Sequence, residues 1–156
     1  MNPNLPISGI MTRKVTSIGP EMHIHHVHDI FEKNAFHHLI VVEHNKVIGV
    51  ISKSDYYQVR HMLSISWGGE VCVKEWFADL RVRDMMTHKP VCIESSDTIG
   101  LAADIFMVNR FHCLPVVDDG EMVGLVTAHD LLAYAYKNPI SFTDEFVTTS
   151  GNADIE

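Results

Sequence analysis

The chain has 156 residues, 46% of them apolar, which is enough for one ordinary domain or for two small ones sharing a core. Its formal net charge of -8 excludes broad nucleic-acid binding, which needs a basic surface to displace counterions from phosphates; an anionic ligand would require a local cation cluster or helix N-termini. Three widely spaced cysteines without a CxxC suggest neither a disulfide framework nor a zinc ribbon, and no apolar run approaches membrane-spanning length.

The first six residues carry no basic-then-apolar signal, so a soluble, cytoplasmic protein is expected. Ile7-Ser8-Gly9-Ile10-Met11-Thr12 reads as a short helical turn or loop. A β-prone run over residues 15–18 then meets Gly19-Pro20. Ile24, Val27, Ile30 and Phe31 follow helical spacing, with Pro20-Glu21 suited to the first turn and an end near Asn34. Residues 39–42 and 47–51 flank the turn Glu43-His44-Asn45-Lys46 as a hairpin, and a second helix is expected from Ser52 to about Leu63. The hairpin is nearly continuous in β-branched residues, which predicts a sheet covered on both faces.

The same order returns 75 residues later. Val82-Arg83-Asp84-Met85-Met86-Thr87 answers the first segment, and Val91-Cys92-Ile93 answers the short strand. A helix through Ile99, Ala102, Ala103, Ile105 and Phe106 is expected to be capped by Ser96 or Asp97 and to end near Asn109. A hairpin over residues 114–126 leads into a helix from Thr127 to about Tyr136, stopped by Asn138-Pro139. Roughly a third of positions 11–57 are identical to their counterparts, Phe36/Phe111, His37/His112, Gly49/Gly124 and Asp55/Asp130 among them, the mark of a duplicated unit.

The expected class is therefore α+β, with two β-α-β-β-α repeats packed through their sheets about a pseudo-two-fold axis. The first repeat with its N-terminal segment takes residues 1–63, a linker 64–80, the second repeat 81–138 and a C-terminal tail 139–156; the repeats form one module. Val71, Trp67, Trp76, Phe77 and Leu80 make the linker too apolar for a solvated tether, and the acidic tail is expected to be disordered at its end.

Two copies of one strand-to-helix motif stand out, Ser52-x-x-Asp55 and Thr127-x-x-Asp130. The pattern is a helix capping box, which needs no ligand. The same residues also suit a nucleotide: a hydroxyl at a helix N-terminus shares a phosphate with the backbone N–H groups, and a carboxylate one turn later accepts both ribose hydroxyls.

Together with Met11-Thr12, Met86-Thr87 and His112-Cys113-Leu114-Pro115-Val116-Val117-Asp118, these repeats resemble a tandem pair of cystathionine β-synthase (CBS) domains over residues 7–136, nearly the whole chain, with no room for a catalytic domain. The resemblance implies a stand-alone regulatory module that binds AMP, ADP, ATP or a related adenosyl ligand between the repeats, forms a homodimer and signals to a protein partner. Asp55 and Asp130 would hold ribose, and Ser52 and Thr127 phosphate. Thr12, Val15, Ile18, Thr87, Pro90 and Ile93, with the backbone at Leu39, Ile40, Leu114 and Pro115, would flank adenine. His37 and His112 fall where phosphate-contacting histidines stand in the AMP-activated protein kinase branch of the family, but His38 and Cys113 follow them in place of arginine. Unequal surroundings, Lys53-Ser54 against Ala128-His129, predict unequal affinities.

Other readings remain. A ligand-independent interaction scaffold would use the same fold with empty clefts. The run His23-Ile24-His25-His26-Val27-His28 places His25 and His28 on adjacent helical turns, a spacing that suits metal sensing or a pH-sensitive interface as well as ordinary surface histidines. Lys14, Lys89 and Arg110 are candidate phosphate neutralisers or plain surface charge. No nucleophile–base pairing or phosphate-loop motif points to an enzyme.

Overall fold

A computed structural model describes residues 2–66, 78–109 and 111–137. The linker residues Trp67, Val71, Cys72, Trp76 and Phe77, as well as Arg110, Asn138, Pro139 and the tail, lie outside the described residues.

A 3-10 turn (Ile7–Gly9) precedes β1 (Ser17–Ile18), α1 (Ile24–Lys33), β2 (His38–Glu43), β3 (Lys46–Ser52) and α2 (Lys53–Ser66). The second half follows with α3 (Val82–Met85), β4 (Thr87–His88), α4 (Ile99–Val108), β5 (Cys113–Asp118), β6 (Glu121–Thr127) and α5 (Ala128–Lys137). In the first half β1 runs parallel to β2, β2 pairs antiparallel with β3, and β4 closes the far edge as the fourth strand. In the second half β5 and β6 form the hairpin. Ile93 and Thr12 supply single bridges, to Val116 and Leu125, where full edge strands stand in the first.

Both hairpins turn through two residues with positive φ, His44 and Asn45 in one and Asp119 and Gly120 in the other. That geometry matches the right-handed twist of the paired strands. Both also carry an irregularity at the same place, Val41/Val42 and Val116/Val117. Leu39, Ile40 and Val41 are all fully buried, so β2 is covered on both faces as its composition predicts.

Helix starts differ from expectation. Thr98, not Ser96 or Asp97, caps α4 by accepting the Leu101 N–H at 3.1 Å. Asp97 is engaged one step earlier, where its carboxylate accepts the Glu94 N–H at 2.8 Å and tightens the preceding turn. Helix α1 begins at Ile24 behind His23, with no side-chain cap, and Pro20-Glu21 lies outside it. Its start is instead held by the Leu80 carbonyl, which accepts the Ile24 N–H at 3.0 Å. Asn34 and Asn109 close the two helices as expected, each donating its side-chain amide to the carbonyl four residues back. The short strands are shorter than their β-prone runs: only Ser17–Ile18 pairs in one, and only Ile93 bridges in the other.

Each half borrows a segment from elsewhere in the chain. The N-terminal turn attaches to the second repeat through Ile7 N–H to the Asp97 carbonyl (2.7 Å) and a reciprocal pair between Thr12 and Leu125 (2.8 and 2.9 Å). Ile7 and Met11 complete a core with Ile93, Ile99, Ala102, Leu114, Val116 and Val126. By the same logic Val82 and Met86 complete the other core, beside Ile18, Ile24, Val27, Phe31, Leu39, Val41, Ile51 and Tyr56. Burying a methionine of this kind contributes about 1.5–3 kcal/mol.

Gly49 and Gly124 make room for this exchange. A Cβ on Gly49 would lie 2.3 Å from the Met86 sulfur, and one on Gly124 would lie 2.8 Å from the Met11 sulfur and 3.0 Å from the Thr12 carbonyl oxygen. The two repeats meet where β3 faces β6, and the Met122 N–H donates to the Asn45 carbonyl at 3.1 Å across the junction.

Candidate functional site

Two clefts open between the repeats, and the 75-residue offset relates them. The smaller, about 370 Å³, is lined by Val50, Ser52, Ser54, Phe111, His112 and Cys113, among others. The larger, about 890 Å³, is lined by Leu125, Thr127, His129, Phe36, His37 and His38, the counterparts of those six in the same order. Both volumes fall in the range of small-molecule sites, roughly 300–1,000 Å³. Each cleft takes its walls from both repeats, so ligand occupancy and inter-repeat geometry are physically coupled.

The smaller cleft brings together six of the candidate residues: Ser52, Asp55, Thr87, Pro90, His112 and Leu114. The larger gathers His37, His112, Thr127 and His129. Val15 sits apart, in a hollow of about 280 Å³ with Arg13 and Asn45. Ile18, Leu39 and Ile93 point into the hydrophobic cores, and Ile40 is fully buried. Thr12 is exposed and pairs with Leu125, while Pro115 pairs with that same residue from the other side of β6. Asp130 stands in the α5 cap beside Thr127.

The two caps close differently. Ser52 donates its hydroxyl to Asp55 Oδ2 at 2.5 Å and accepts the Asp55 N–H at 3.0 Å. Asp130 Oδ2 accepts from the Thr127 N–H at 2.8 Å and the Thr127 hydroxyl at 2.7 Å, and the Asp130 N–H returns to that hydroxyl at 3.2 Å. One Asp130 oxygen thus serves the backbone at the start of α5, while the Asp55 oxygen serves only the Ser52 hydroxyl. A helix N-terminus also gathers unpaired N–H groups and partial positive charge, which favours an anion there.

Several lining residues come from docking of the repeats rather than from the capping motif. Phe36, Lys53 and Tyr57 line the larger cleft, and Phe111, Val91 and Cys113 the smaller. In the sequence the identity Phe36/Phe111, Cys113 in the place of an arginine and Lys53 beside the first motif pointed to four of them, whereas nothing singled out Tyr57. Lys53 is held back: its ammonium donates to the Phe31 carbonyl at 3.1 Å and lies 3.6 Å from Glu32. Tyr57 donates to the same Glu32 carboxylate at 2.5 Å, a bond that pushes the Tyr57 hydroxyl up to about 12 and lowers the Glu32 carboxyl. Burial, then the neighbouring His112 and His37, lower His38 below the ordinary imidazole range. Burial pushes the Cys113 thiol up to about 12, which keeps it protonated and unreactive.

The histidine helix is arranged differently. The His25 ring lies 4.0 Å from that of His26, whereas His28 stacks on Tyr56 at 5.9 Å. Among the described residues no group of three or more His, Cys, Asp or Glu side chains is placed to hold a metal ion. Lys14 and Lys89 are exposed. No helix of the described residues is long and apolar enough to cross a membrane.

Comparison with known proteins completes the description. A family model described as CBS domain matches residues 7–60 and 82–137. An uncharacterized protein of Methanocaldococcus jannaschii, MJ1404, is 33% identical over 141 residues, 88% of this chain and 30% of its own length. This chain therefore spans less than a third of that relative. The crystal structure of MJ1225 from the same organism, proposed as an archaeal homolog of g-AMPK, superposes with a TM-score of 0.72 at 24% identity, covering 86% of this chain and 49% of that one. The CBS-pair protein CBSX2 from Arabidopsis thaliana, solved in complex with AMP, superposes with a TM-score of 0.67 at 22% identity over 85% of this chain and 97% of its own.

Proposed function

The chain belongs to the CBS domain family, with one copy of the domain in each half, and on that premise we propose that it is a regulatory module that binds an adenine nucleotide between its repeats and passes the resulting conformational shift to a partner protein. The observation that carries this reading is the pair of offset-related clefts, each entered by a hydroxyl at a helix N-terminus, Ser52 in one and Thr127 in the other. The AMP complex of CBSX2 supports adenosine phosphate as the ligand class. The likeness to MJ1225, proposed as an archaeal homolog of g-AMPK, supports a regulatory role.

In this reading Ser52 and Thr127, at the starts of α2 and α5, receive phosphate, while the second oxygen of Asp55 or Asp130 takes ribose hydroxyls. Thr87 and Pro90 flank the base in the smaller cleft, which Phe111 also lines. The module is a sensor and not an enzyme, acts in the cytoplasm, and works by linkage: a nucleotide that prefers one relative orientation of the repeats shifts that population by no more than its differential affinity.

Dimerisation belongs to the same proposal. Ile65, Met107, Val108, Leu132 and Tyr136 stand 68–89% exposed on α2, α4 and α5, an apolar display that a second copy would cover.

A thermal-shift series with AMP, ADP, ATP, S-adenosylmethionine, NAD and cyclic dinucleotides tests the ligand. An adenosine phosphate at ~100 times its dissociation constant should stabilise the fold by ~2.7 kcal/mol. A flat response to the whole series would favour the scaffold reading.

A further inference from the structure

The larger cleft holds a cluster of four imidazoles, of which only His37 and His112 stand where the family resemblance places phosphate-contacting histidines. His37 and His38 reach it from the start of β2, His112 from the approach to β5, and His129 from the first turn of α5. Two repeats and three separate segments thus converge four histidines on one cavity.

Fixed positive charge is scarce among the described residues there. Among the described residues lining the two clefts, Lys53 is the only lysine or arginine, and its ammonium is already engaged by the Phe31 carbonyl and by Glu32. Carboxylates stand close by: Asp55 lines the smaller cleft and acts on His38, Asp130 caps the helix that carries His129, and Glu32 is bound to Tyr57. The remaining titratable neighbours, the Tyr57 hydroxyl and the Cys113 thiol, are both pushed up to about 12 and stay uncharged. On a chain with net charge -8, a phosphate group entering this cleft meets few compensating cations among the described residues.

Imidazole is the one side chain present that acquires positive charge near neutral pH. A phosphate oxygen beside it favours the protonated ring, and by linkage protonation favours the phosphate. We propose that the larger cleft binds phosphate together with protons, so that its affinity for a phosphorylated ligand rises as pH falls through the imidazole range. This rests on the nucleotide reading for the identity of the ligand, while the linkage itself concerns only the phosphate. The module would then report proton activity and nucleotide level as a single signal.

Titration calorimetry in buffers of different ionisation enthalpy reads the protons taken up on binding. The probes are ATP, adenosine and inorganic tripolyphosphate, applied to the unmodified chain and to a variant combining H37Q, H38Q, H112Q and H129Q. Roughly one proton should enter per ATP beyond the nucleotide's own titration, and each proton tightens binding by up to about tenfold per pH unit. Adenosine should bind without uptake, and the variant should lose the excess. His38 is half-buried, so the triple variant without H38Q, whose three sites are exposed, provides a second test with an intact fold checked by melting.

Equal proton uptake by ATP in the unmodified chain and in the folded variant overturns the linkage and leaves nucleotide binding standing. Tripolyphosphate binding with uptake, but with no contribution from adenosine, keeps the linkage and removes the nucleoside reading. No binding by any probe overturns both.

Discussion

Gly49 and Gly124 hold equivalent places, yet their surroundings are unequal. The three atoms nearest to a Cβ at Gly49 all belong to the Met86 side chain; at Gly124 they include the Thr12 carbonyl oxygen at 3.0 Å, which belongs to a paired backbone and yields less readily than a side chain. Gly124→Ala should therefore cost more than Gly49→Ala, by an overpacking penalty of about 1–3 kcal/mol, as read by denaturant melts. Equal losses would mean that the backbone contact gives way freely. A second residue-scale expectation concerns cysteine. With its thiol near 12, Cys113 should carry almost no thiolate at pH 8, and peptide mapping after brief alkylation should find it unmodified until the protein is denatured. Rapid native labelling of Cys113 would show that the cleft wall opens.

At the scale of elements, the exchange of segments decides which half each contact stabilises. Met11 comes early in the chain but belongs to the core around Leu114 and Val126. Met11→Ala should destabilise the protein by about 2–5 kcal/mol. Hydrogen exchange should show the loss first in β5 and β6 rather than in β2 and β3; protection lost first in the β2–β3 hairpin would contradict the observed packing. The exchange was not legible in the sequence, and the reason is physical. Gly49 and Gly124 are identical, and Met11 and Met86 are identical, so residue types alone leave each methionine two equally suitable hairpins.

What the sequence made readable were features carried by local pattern: the hairpins from their β-branched runs, the helix ends from Asn34 and Asn109, and the caps from Ser52, Asp55, Thr127 and Asp130. The α4 cap was misplaced by one residue because Ser96, Asp97 and Thr98 all suit that role, and a tertiary turn claimed Asp97. The cleft was half legible for a similar reason. Its cap residues announce themselves by spacing, whereas Phe36, Lys53 and Tyr57 reach it only through the docking of one repeat on the other.

For the whole molecule, two small repeats share one junction, and both clefts lie along it. Any ligand filling a cleft touches both halves, which is the structural condition for a binding event to change their relative orientation. In the proposed dimer a second copy would cover the exposed apolar side chains of α2, α4 and α5. Tyr136, 89% exposed, and Leu132, 68% exposed, are the most direct probes: Leu132→Lys with Tyr136→Lys should convert a sedimenting dimer to monomer while leaving the melting curve of the monomer unit little changed. A dimer that persists in this variant would place the interface elsewhere.

The central claim is that the hydroxyl-and-carboxylate caps hold an adenosine phosphate in addition to starting their helices. Removing either carboxylate costs the cap about 1 kcal/mol, so a fall in stability alone decides nothing. Calorimetric titration of AMP or ATP into the unmodified protein, Asp55→Ala and Asp130→Ala separates the two roles. The account predicts that each folded variant loses the binding event of its own cleft and keeps the other's; unchanged stoichiometry and affinity in both variants would contradict it.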